Sequence, residues 1–301
     1  MIQTFMYHDI RDLHETIYPR RYELRSFIRK AEFHRQLDIL VRDYEIISPY
    51  QIREEHFLLD RTCAVLTFDD GLKDHFSVFL ELKKRGITGC FFVPTLPITE
   101  GRMIKTHKIQ FILASVDEHV IVNEILCQFD QTKRDAIWSL YSATKWKDNW
   151  WSKEMVFCTN FMRMHNENFD SDSFVDVLFS KFVKDDETAI CKDLYLSEQQ
   201  MDHMASAGAI FGGHGNSSEN LLLCHDVREE IRESAQFISE YSNDFIFSYP
   251  NGGFNEAIKK ELLRHDCKMA FTVEQKTLTH IDDSDPLEMP RYDGAQKLKT
   301  Q

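Results

Sequence analysis

Short runs of apolar residues alternate along this chain with longer stretches in which apolar residues recur at helical spacing. Residues 63–68, with the sequence Cys-Ala-Val-Leu-Thr-Phe, show no polar alternation, which is typical of a strand buried on both faces of a parallel sheet. Comparable runs predict further strands at 2–7, 44–48, 87–93, 209–212, 245–249 and 269–273. Helical periodicity predicts helices at 26–43, 72–85, 198–207 and 255–265.

The order of these elements is a repeated alternation of strand and helix, joined by short turns. Units of this kind build a parallel sheet or barrel with right-handed crossovers. The sequence therefore predicts an α/β fold, with a β/α barrel as its natural form, whose functional groups lie on the loops that follow the strands.

The middle of the chain differs from both flanks, because residues 102–207 contain neither Gly nor Pro. A stretch of this length without helix breakers predicts a set of helices. We therefore expect the barrel to comprise residues 1–99 and 195–301, and residues 100–194 to form a large helical insertion. All four tryptophans lie in this insertion, and packing between its helices is the simpler interpretation of them.

The buried strand at 63–68 ends in two adjacent carboxylates, Asp69 and Asp70, which are followed by Gly71. Acidic side chains are rarely buried without a partner, so both must face water, a cation or an arginine at the carboxyl end of the strand. A hairpin turn is excluded because a helical pattern follows. A phosphatase of the haloacid dehalogenase kind is excluded as well, because its Asp-x-Asp motif needs an aspartate where Phe68 stands.

The composition of the chain excludes some classes of molecule as its main binding partner. The chain has 301 residues and a net charge of −13, which argues against nucleic acid or an anionic membrane surface as the main partner. No apolar run approaches the length of about 20 residues that spans a bilayer, and the first residues lack the pattern of a signal peptide, so we expect a cytoplasmic protein. Seven scattered cysteines without a Cys-x-x-Cys pair indicate reduced thiols rather than disulfides or a structural zinc site.

Residues 67–71, Thr-Phe-Asp-Asp-Gly, resemble the first motif of the NodB-type polysaccharide deacetylases. These are metal-dependent carbohydrate esterases of family four that remove N-acetyl groups from sugars. The resemblance implies the irregular barrel of that family, with Asp69 as the general base and Asp70 as a metal ligand. The chain is similar to a divergent branch, and the likeness covers residues 1–95 and 195–295.

The second motif of the family, a His-x-x-x-His pair that completes the metal site, is matched only in its first half. His214 follows a predicted strand, but Ser218 occupies the position of the second histidine. The resemblance implies a divalent metal, zinc above others, on Asp70 and His214, whereas a serine hydroxyl is a poor zinc ligand. Either a third ligand comes from another loop, with His8 and His107 as the candidates, or the metal is held weakly or not at all.

The third motif of the family is altered in this chain. Residues 249–252, Tyr-Pro-Asn-Gly, resemble it, but Ser248 stands at the position of its usual arginine. The backbone N–H of Asn251 remains a candidate donor to an oxyanion, because a main-chain group does not depend on the side chain. Arg291 lies in a segment that resembles the Leu-Pro-Arg-x-Asp sequence of the branch lacking that arginine, and it is the candidate partner of Asp69.

The contacts with substrate are predicted from residue type and position. Tyr249 in the third motif, together with Trp150 and Trp151 in the insertion, are the candidates for contact with a sugar ring. The late histidine that serves the family as a general acid has only a weak match, at His280.

The resulting hypothesis is a metal-dependent deacetylase that hydrolyses an N-acetyl amide on an amino sugar. Its expected substrate is a nucleotide-linked or lipid-linked precursor of surface polysaccharide or O-antigen. The alternative is a catalytically degenerate barrel that binds carbohydrate or a partner protein, which Ser218 and Asn251 favour. The sequence leaves open the sugar, the acyl group, the metal and the oligomeric state.

Overall fold

The chain forms two compact units in a computed structural model that describes residues 1–15, 27–53, 62–143, 151–164, 169–279 and 285–298. The first unit comprises the described residues of 1–12, 27–104 and 187–298. The second comprises those of 13–15 and 105–186. The larger part of the second unit, at 105–186, lies within residues 100–194, where the sequence predicts the insertion.

The first unit is built on a curled parallel sheet, as the strand and helix alternation predicts. Its strands follow the order β10-β1-β5-β6-β7-β8-β9, and β4 pairs with the beginning of β5. Two further strands, β2 and β3, form a separate parallel pair. The strands are β1 (Ile2–Tyr7), β2 (Asp9–Ile10), β3 (Phe27–Ile28), β4 (Glu45–Ile46), β5 (Cys63–Phe68), β6 (Cys90–Val93), β7 (Ile210–Gly213), β8 (Ile246–Ser248), β9 (Met269–Phe271) and β10 (Tyr292–Asp293).

Helices follow most of these strands and cover the outer face of the sheet. In the first unit they are α1 (Lys30–Asp43), α2 (Asp74–Lys84), α3 (Thr95–Thr99), α9 (Glu187–Leu194), α10 (Glu198–Ser206), α11 (Val227–Ile238), α12 (Glu256–Arg264) and α13 (Gly294–Lys297). The helix α10 begins with the capping box that the sequence predicts, in which the side chains of Ser197 and Gln200 each bond the other's backbone N–H.

The strand β5 is buried along its whole length, as its apolar sequence predicts. Its alternate residues Ala64, Leu66 and Phe68 pack with the helices on the outer face. Cys63 and Val65 instead belong to a second apolar cluster on the inner face of the sheet. Because both faces are covered, a polar group on this strand has an outlet only at the carboxyl end.

Parallel pairing brings the carboxyl ends of the strands to one edge of the sheet. Tyr7 pairs with Phe68, Phe68 pairs with Phe91, and Ser248 pairs with Phe271. The residues that follow these strands therefore lie next to each other, where ligands bind in open α/β sheets.

The segment that precedes β10 completes this edge. Met289 forms a parallel bridge with Phe271 of β9, and Tyr292 pairs with Phe5 of β1. Arg291 lies between these two contacts, and its backbone N–H donates to the carbonyl oxygen of Glu274. The segment thus joins the last strand of the sheet to the first and fixes Arg291 at their junction.

The second unit has its own helical core. Its helices are α4 (Lys105–Ser115), α5 (Glu118–Cys127), α6 (Gln131–Ala143), α7 (Lys153–Arg163) and α8 (Ser171–Phe182). The buried Lys108 of α4 pairs with Asp176 of α8 at 2.6 Å, which joins these two helices. Across both units, none of the helices in the described ranges has the length and apolar character that crossing a membrane requires.

Candidate functional site

Asp69 and Arg291 form a buried ion pair at the carboxyl end of β5. The guanidinium donates two parallel hydrogen bonds, from Nη1 to Oδ1 and from Nη2 to Oδ2, both at 2.8 Å. Asp69 is 2% exposed and Arg291 is 1% exposed. This two-pronged geometry is the strongest arrangement that a guanidinium and a carboxylate make.

The remaining donors of Arg291 are also satisfied. Its Nε donates to the carbonyl oxygen of Thr272 at 3.0 Å, and Nη1 also donates to the hydroxyl of Thr67 at 3.1 Å. The rings of Phe92 and Phe271 lie 5.7 and 6.0 Å from the guanidinium carbon. The buried cation is therefore fully hydrogen-bonded and lies between aromatic rings, which lowers the cost of its burial.

The ion pair keeps Asp69 charged. Burial by itself raises the pKa of the Asp69 carboxyl, but the charge of Arg291, with help from His214 and His8, holds the pKa below its ordinary value. A buried carboxylate that stays ionised is a competent proton acceptor at neutral pH.

Asp70 is turned away from the strand by a left-handed backbone. Its φ is 75°, and the following Gly71 has a φ of 59°. A Cβ on Gly71 would lie 2.8 Å from Cγ1 of Val93, so only glycine fits between the turn and β6. The Asp-Asp-Gly sequence is thus explained by geometry, because one carboxylate remains in line with β5 while the next leaves the strand.

His214 follows β7 and faces Asp70. Its Nε2 lies 3.5 Å from Oδ1 of Asp70, and its Nδ1 lies 2.9 Å from the carbonyl oxygen of Ser248. A carbonyl only accepts hydrogen bonds, so Nδ1 carries a proton and Nε2 is the nitrogen left for a ligand. Burial alone lowers the pKa of His214, but the hydrogen bond and charge of Asp70 together with the charge of Asp69 raise it overall.

The pair of Asp70 and His214 fits a divalent cation in part. Two ligands of one tetrahedral zinc ion, each bound at about 2.0–2.2 Å, lie about 3.3–3.6 Å apart, and the separation of 3.5 Å between Oδ1 and Nε2 agrees with this. A catalytic zinc site has three protein ligands. In the described ranges, however, no three His, Cys, Asp or Glu side chains converge on one point.

The loop after His214 is rigidly anchored. Glu230 of α11 accepts hydrogen bonds from the backbone N–H groups of Asn216 and Ser217 and from the Ser217 hydroxyl, the shortest at 2.7 Å. Ser218, where a second histidine would stand in the family motif, is buried and has a φ of 57°. Glu230 is a site residue that sequence analysis missed, because a glutamate in an amphipathic helix gives no sign of burial.

Asn251 follows β8 in a left-handed conformation with a φ of 53°. Its side chain is exposed. Its backbone N–H has no acceptor within the part of the chain that the structure describes. A free N–H at a strand terminus has the chemistry of an oxyanion donor, as the sequence comparison with the third motif implies.

The proposed contact of Tyr249 with substrate needs correction. The Tyr249 ring is completely buried, stacks on Phe254 at 4.8 Å and donates its hydroxyl hydrogen to the carbonyl oxygen of Leu287. Side chains alternate along a strand, so Ser248 points into the site and Tyr249 points into the outer core. Tyr249 therefore has no surface to offer a sugar, and we assign it to the core.

The remaining candidates belong to the second unit or lie outside the described residues. His107 is buried in α4 of the second unit, and Trp151 of that unit is half-buried. Trp150 and His280 lie outside the described residues. No third metal ligand is assigned.

His8 lies beside Asp69, because Tyr7 pairs with Phe68 and both residues come next along their strands. Its side chain is half-buried and makes no hydrogen bond with any residue that the structure describes. Its carbonyl oxygen lies 3.1 Å from Nε2 of the buried His75, which fixes the backbone at this point. His8 is therefore a histidine at the site whose ring makes no hydrogen bond with a described residue.

Comparison with known proteins shows that the chain has a known fold. The search against family models and the search of curated proteins each found no match to the chain. Among solved structures, it is similar to the Streptococcus pyogenes deacetylase PplD in complex with acetate, with a TM-score of 0.57 and 16% identity over 97% of this chain and 91% of that one.

Two other structures show the same likeness. IcaB from Ammonifex degensii matches with a TM-score of 0.54 and 15% identity over 97% of this chain and 91% of that one. A de-N-acetylase from Aggregatibacter actinomycetemcomitans matches with a TM-score of 0.53 and 12% identity over 99% of this chain and 97% of that one. The fold is thus that of the polysaccharide deacetylases, which confirms at the level of architecture the resemblance of the sequence motifs.

Proposed function

We propose that this chain is a metal-dependent deacetylase that hydrolyses an N-acetyl amide on an amino sugar. The observation that carries the proposal is the pairing of Asp69 with Arg291 directly beside the pair of Asp70 and His214. One carboxylate is thereby held ionised as a base, while the next faces the histidine, where the two side chains can bind a cation together. The deacetylase fold agrees with this chemistry.

The residues of the chain have separate roles in this reaction. Asp69 accepts a proton from a water molecule, whose oxygen then adds to the acyl carbon of the amide. The N–H of Asn251 donates to the oxyanion that develops on the acyl oxygen. His8, whose ring makes no hydrogen bond with a described residue, donates a proton to the sugar nitrogen as the carbon–nitrogen bond breaks. This step releases acetate and an amine.

A divalent cation on Asp70 and His214, zinc above others, would supply Lewis acidity and lower the pKa of a bound water to about 7. His214 is prepared for this role, because its Nδ1 is held on the Ser248 carbonyl and its Nε2 faces Asp70. Because the described residues supply two protein donors rather than three, we expect the cation to bind more weakly than in a complete zinc site.

The fold supports a proposal for the substrate class. Solved structures that are similar to this chain include an enzyme described as a de-N-acetylase and one described with bound acetate, the acid that deacetylation releases. We propose a carbohydrate substrate, as a nucleotide-linked or lipid-linked amino sugar in the cytoplasm. The pathway is that of a surface polysaccharide or O-antigen.

The direct test is acetate release from nucleotide-linked N-acetylglucosamine and from N-acetylglucosamine oligomers, with Zn²⁺, Co²⁺, Ni²⁺ and Mn²⁺ each supplied. We expect activity that chelation removes, and a loss of at least about 100-fold in kcat for Asp69→Asn, because the general base is gone. Asp202→Asn, which changes an exposed carboxylate on α10, is the control and should retain wild-type activity. Equal activity of Asp69→Asn and wild type would refute the proposed mechanism.

A second function, carbohydrate or partner binding without catalysis, is favoured by one observation. Ser218 stands at the position of the second histidine, and the described residues hold no group of three metal donors. Metal analysis separates the two functions. About one ion per chain that is lost in His214→Ala supports the hydrolase, whereas no bound ion with any of the four metals supports the binding protein.

A further inference from the structure

Ser248 lies at the point where the two ion pairs of the site meet. It is fully buried at the end of β8. Its hydroxyl donates to Oδ2 of Asp69 at 3.1 Å and accepts from Nη2 of Arg291 at 2.8 Å. Its backbone carbonyl oxygen lies 2.9 Å from Nδ1 of His214. One residue therefore contacts the base, the partner of the base and a proposed metal ligand.

The hydrogen bonds of Asp69 are distributed unequally between its two oxygens. Each carboxylate oxygen offers about two lone pairs in the plane of the group. Oδ2 accepts from both Arg291 and Ser248, so both of its lone pairs are used. Oδ1 accepts from Arg291 alone among the residues that the structure describes, so one of its lone pairs remains.

We infer that Ser248 is a positioning residue that makes Oδ1 of Asp69 the atom that receives the proton. The inference rests on the proposed function and deepens it. The hydroxyl occupies the second lone pair of Oδ2, so the proton of the attacking water is transferred to Oδ1 while the water oxygen bonds to the acyl carbon. The carbonyl of the same residue fixes His214, which sets the base and the imidazole in one geometry.

This role explains why a serine replaces the arginine of the family motif without loss of the ion pair. Arg291 supplies the charge from another segment, and the small Ser248 leaves room for its guanidinium. The hydroxyl then fills the one acceptor site on Oδ2 that a single guanidinium leaves open. Loss of the hydroxyl leaves one open lone pair on each oxygen of Asp69, so that two proton acceptors compete.

The first test is kinetic. We expect Ser248→Ala to lower kcat about ten-fold with an unchanged KM, because a base that is displaced by a fraction of an ångström loses rate but not substrate affinity. Ser248→Thr, which restores a hydroxyl with a residue suited to strands, should recover kcat to within about three-fold of wild type. Ser234→Ala is the matched control, since it removes a buried hydroxyl that has no hydrogen-bond partner among the residues given in the structure.

The second test needs no activity. Infrared difference spectra between wild type and Ser248→Ala, with aspartate labelled with ¹³C at the side-chain carboxyl, should show a shifted carboxylate band that Ser234→Ala lacks. Absence of that band overturns the inference. An active wild type with an unchanged kcat in Ser248→Ala overturns the role of Ser248 alone, whereas an inactive wild type overturns the proposed function and this role with it.

Discussion

At the scale of single residues, the pair of Asp69 and Arg291 places two opposite charges in the protein interior. Removing either partner leaves an uncompensated buried charge, which costs about 3–5 kcal/mol. We expect Asp69→Asn and Arg291→Met each to lower the free energy of unfolding by about this amount. The double variant should lose less than the sum of the two, because it contains no unpaired charge.

Urea unfolding of the four proteins measures this coupling. The exposed pair of Arg232 and Glu229, whose side chains are 47% and 53% exposed, is the matched control. An equivalent cycle of substitutions there should give a coupling close to zero, because water screens an exposed ion pair. A coupling between Asp69 and Arg291 that is no larger than at this surface pair would contradict the expectation.

The buried imidazole of His75 makes stability depend on pH. Burial is the main cause that lowers the pKa of His75 to about 4. A group whose pKa is lower in the folded state binds its proton mainly on unfolding. Its contribution to stability is complete above the unfolded pKa of about 6.5 and is lost as the pH falls toward about 4.

We therefore expect the protonation of His75 in the unfolded chain to lower the free energy of unfolding by about 3 kcal/mol as the pH falls from about 6.5 to 4. His75→Gln does not titrate in this range, so the difference in stability between it and the wild type isolates the effect of His75. Urea unfolding at several pH values measures this difference. A difference that stays constant from about pH 7 to 4 would rule out the effect.

At the scale of elements, the turn after β5 depends on a glycine for two separate reasons. Gly71 has a positive φ, and a Cβ there would also clash with Val93. Gly86, at the end of α2, has a similar φ of 71°, but a Cβ added to it would meet no atom within 4 Å. Substitution of each glycine by alanine therefore distinguishes the cost of the left-handed backbone from the cost of the clash with Val93.

We expect Gly86→Ala to lower stability by about 1–2 kcal/mol, the usual cost of a left-handed conformation for a residue with a Cβ. Gly71→Ala should lose clearly more, because β6 must also move. Thermal unfolding of the two variants against wild type measures both losses. Equal losses in the two variants would show that the contact with Val93 does not constrain the turn.

Much of this architecture is predictable from local patterns. The apolar run of β5 and the capping box before α10 are both found where the sequence predicts them. The helix α11 is absent from the helices predicted above, although Asp226 caps it and Ile231, Phe237 and Ile238 recur at helical spacing. The sequence pattern that predicts this helix is therefore present, although the helix is absent from the prediction.

The site could be predicted only in part, for physical reasons. The pairing of Asp69 with Arg291 is inferred from motif resemblance, since 222 residues separate them and no local pattern joins them. The role of Ser248 depends on which face of β8 it occupies, and the same alternation decides that Tyr249 is in the core. A strand of three residues, Ile246–Ser248, is too short to show that alternation in its sequence.

At the scale of the whole molecule, the reactivity of the seven cysteines indicates whether each of the two units stays folded. All are free thiols, and Cys127 in the second unit is the exposed one, whereas Cys224 is half-buried and the other five are buried. Burial raises the pKa of Cys90 and raises that of Cys267 to about 12, which slows their reaction as thiolates.

We expect one thiol to react at once with a disulfide reagent at neutral pH, one to react more slowly, and five to react only when the protein unfolds. Cys127→Ser should remove the fast phase and leave the rest unchanged. Counting the modified thiols against time measures this. Several fast thiols in the variant would show that a unit opens readily.

The segment that carries Arg291 to the junction of β9 and β1 also sets an order of events during synthesis. At about 5–20 residues per second, a ribosome reaches Arg291 about 10–40 seconds after Asp69, since 222 residues separate them. Until then the Asp69 carboxylate has no cation to accompany it into the core, and burying it alone is costly. The nascent barrel is therefore expected to keep this edge open to water, and the site closes only when the segment from Met289 to Tyr292 docks. Arg291, which keeps the carboxylate of Asp69 ionised, is thus also the residue whose docking completes the folding of the barrel.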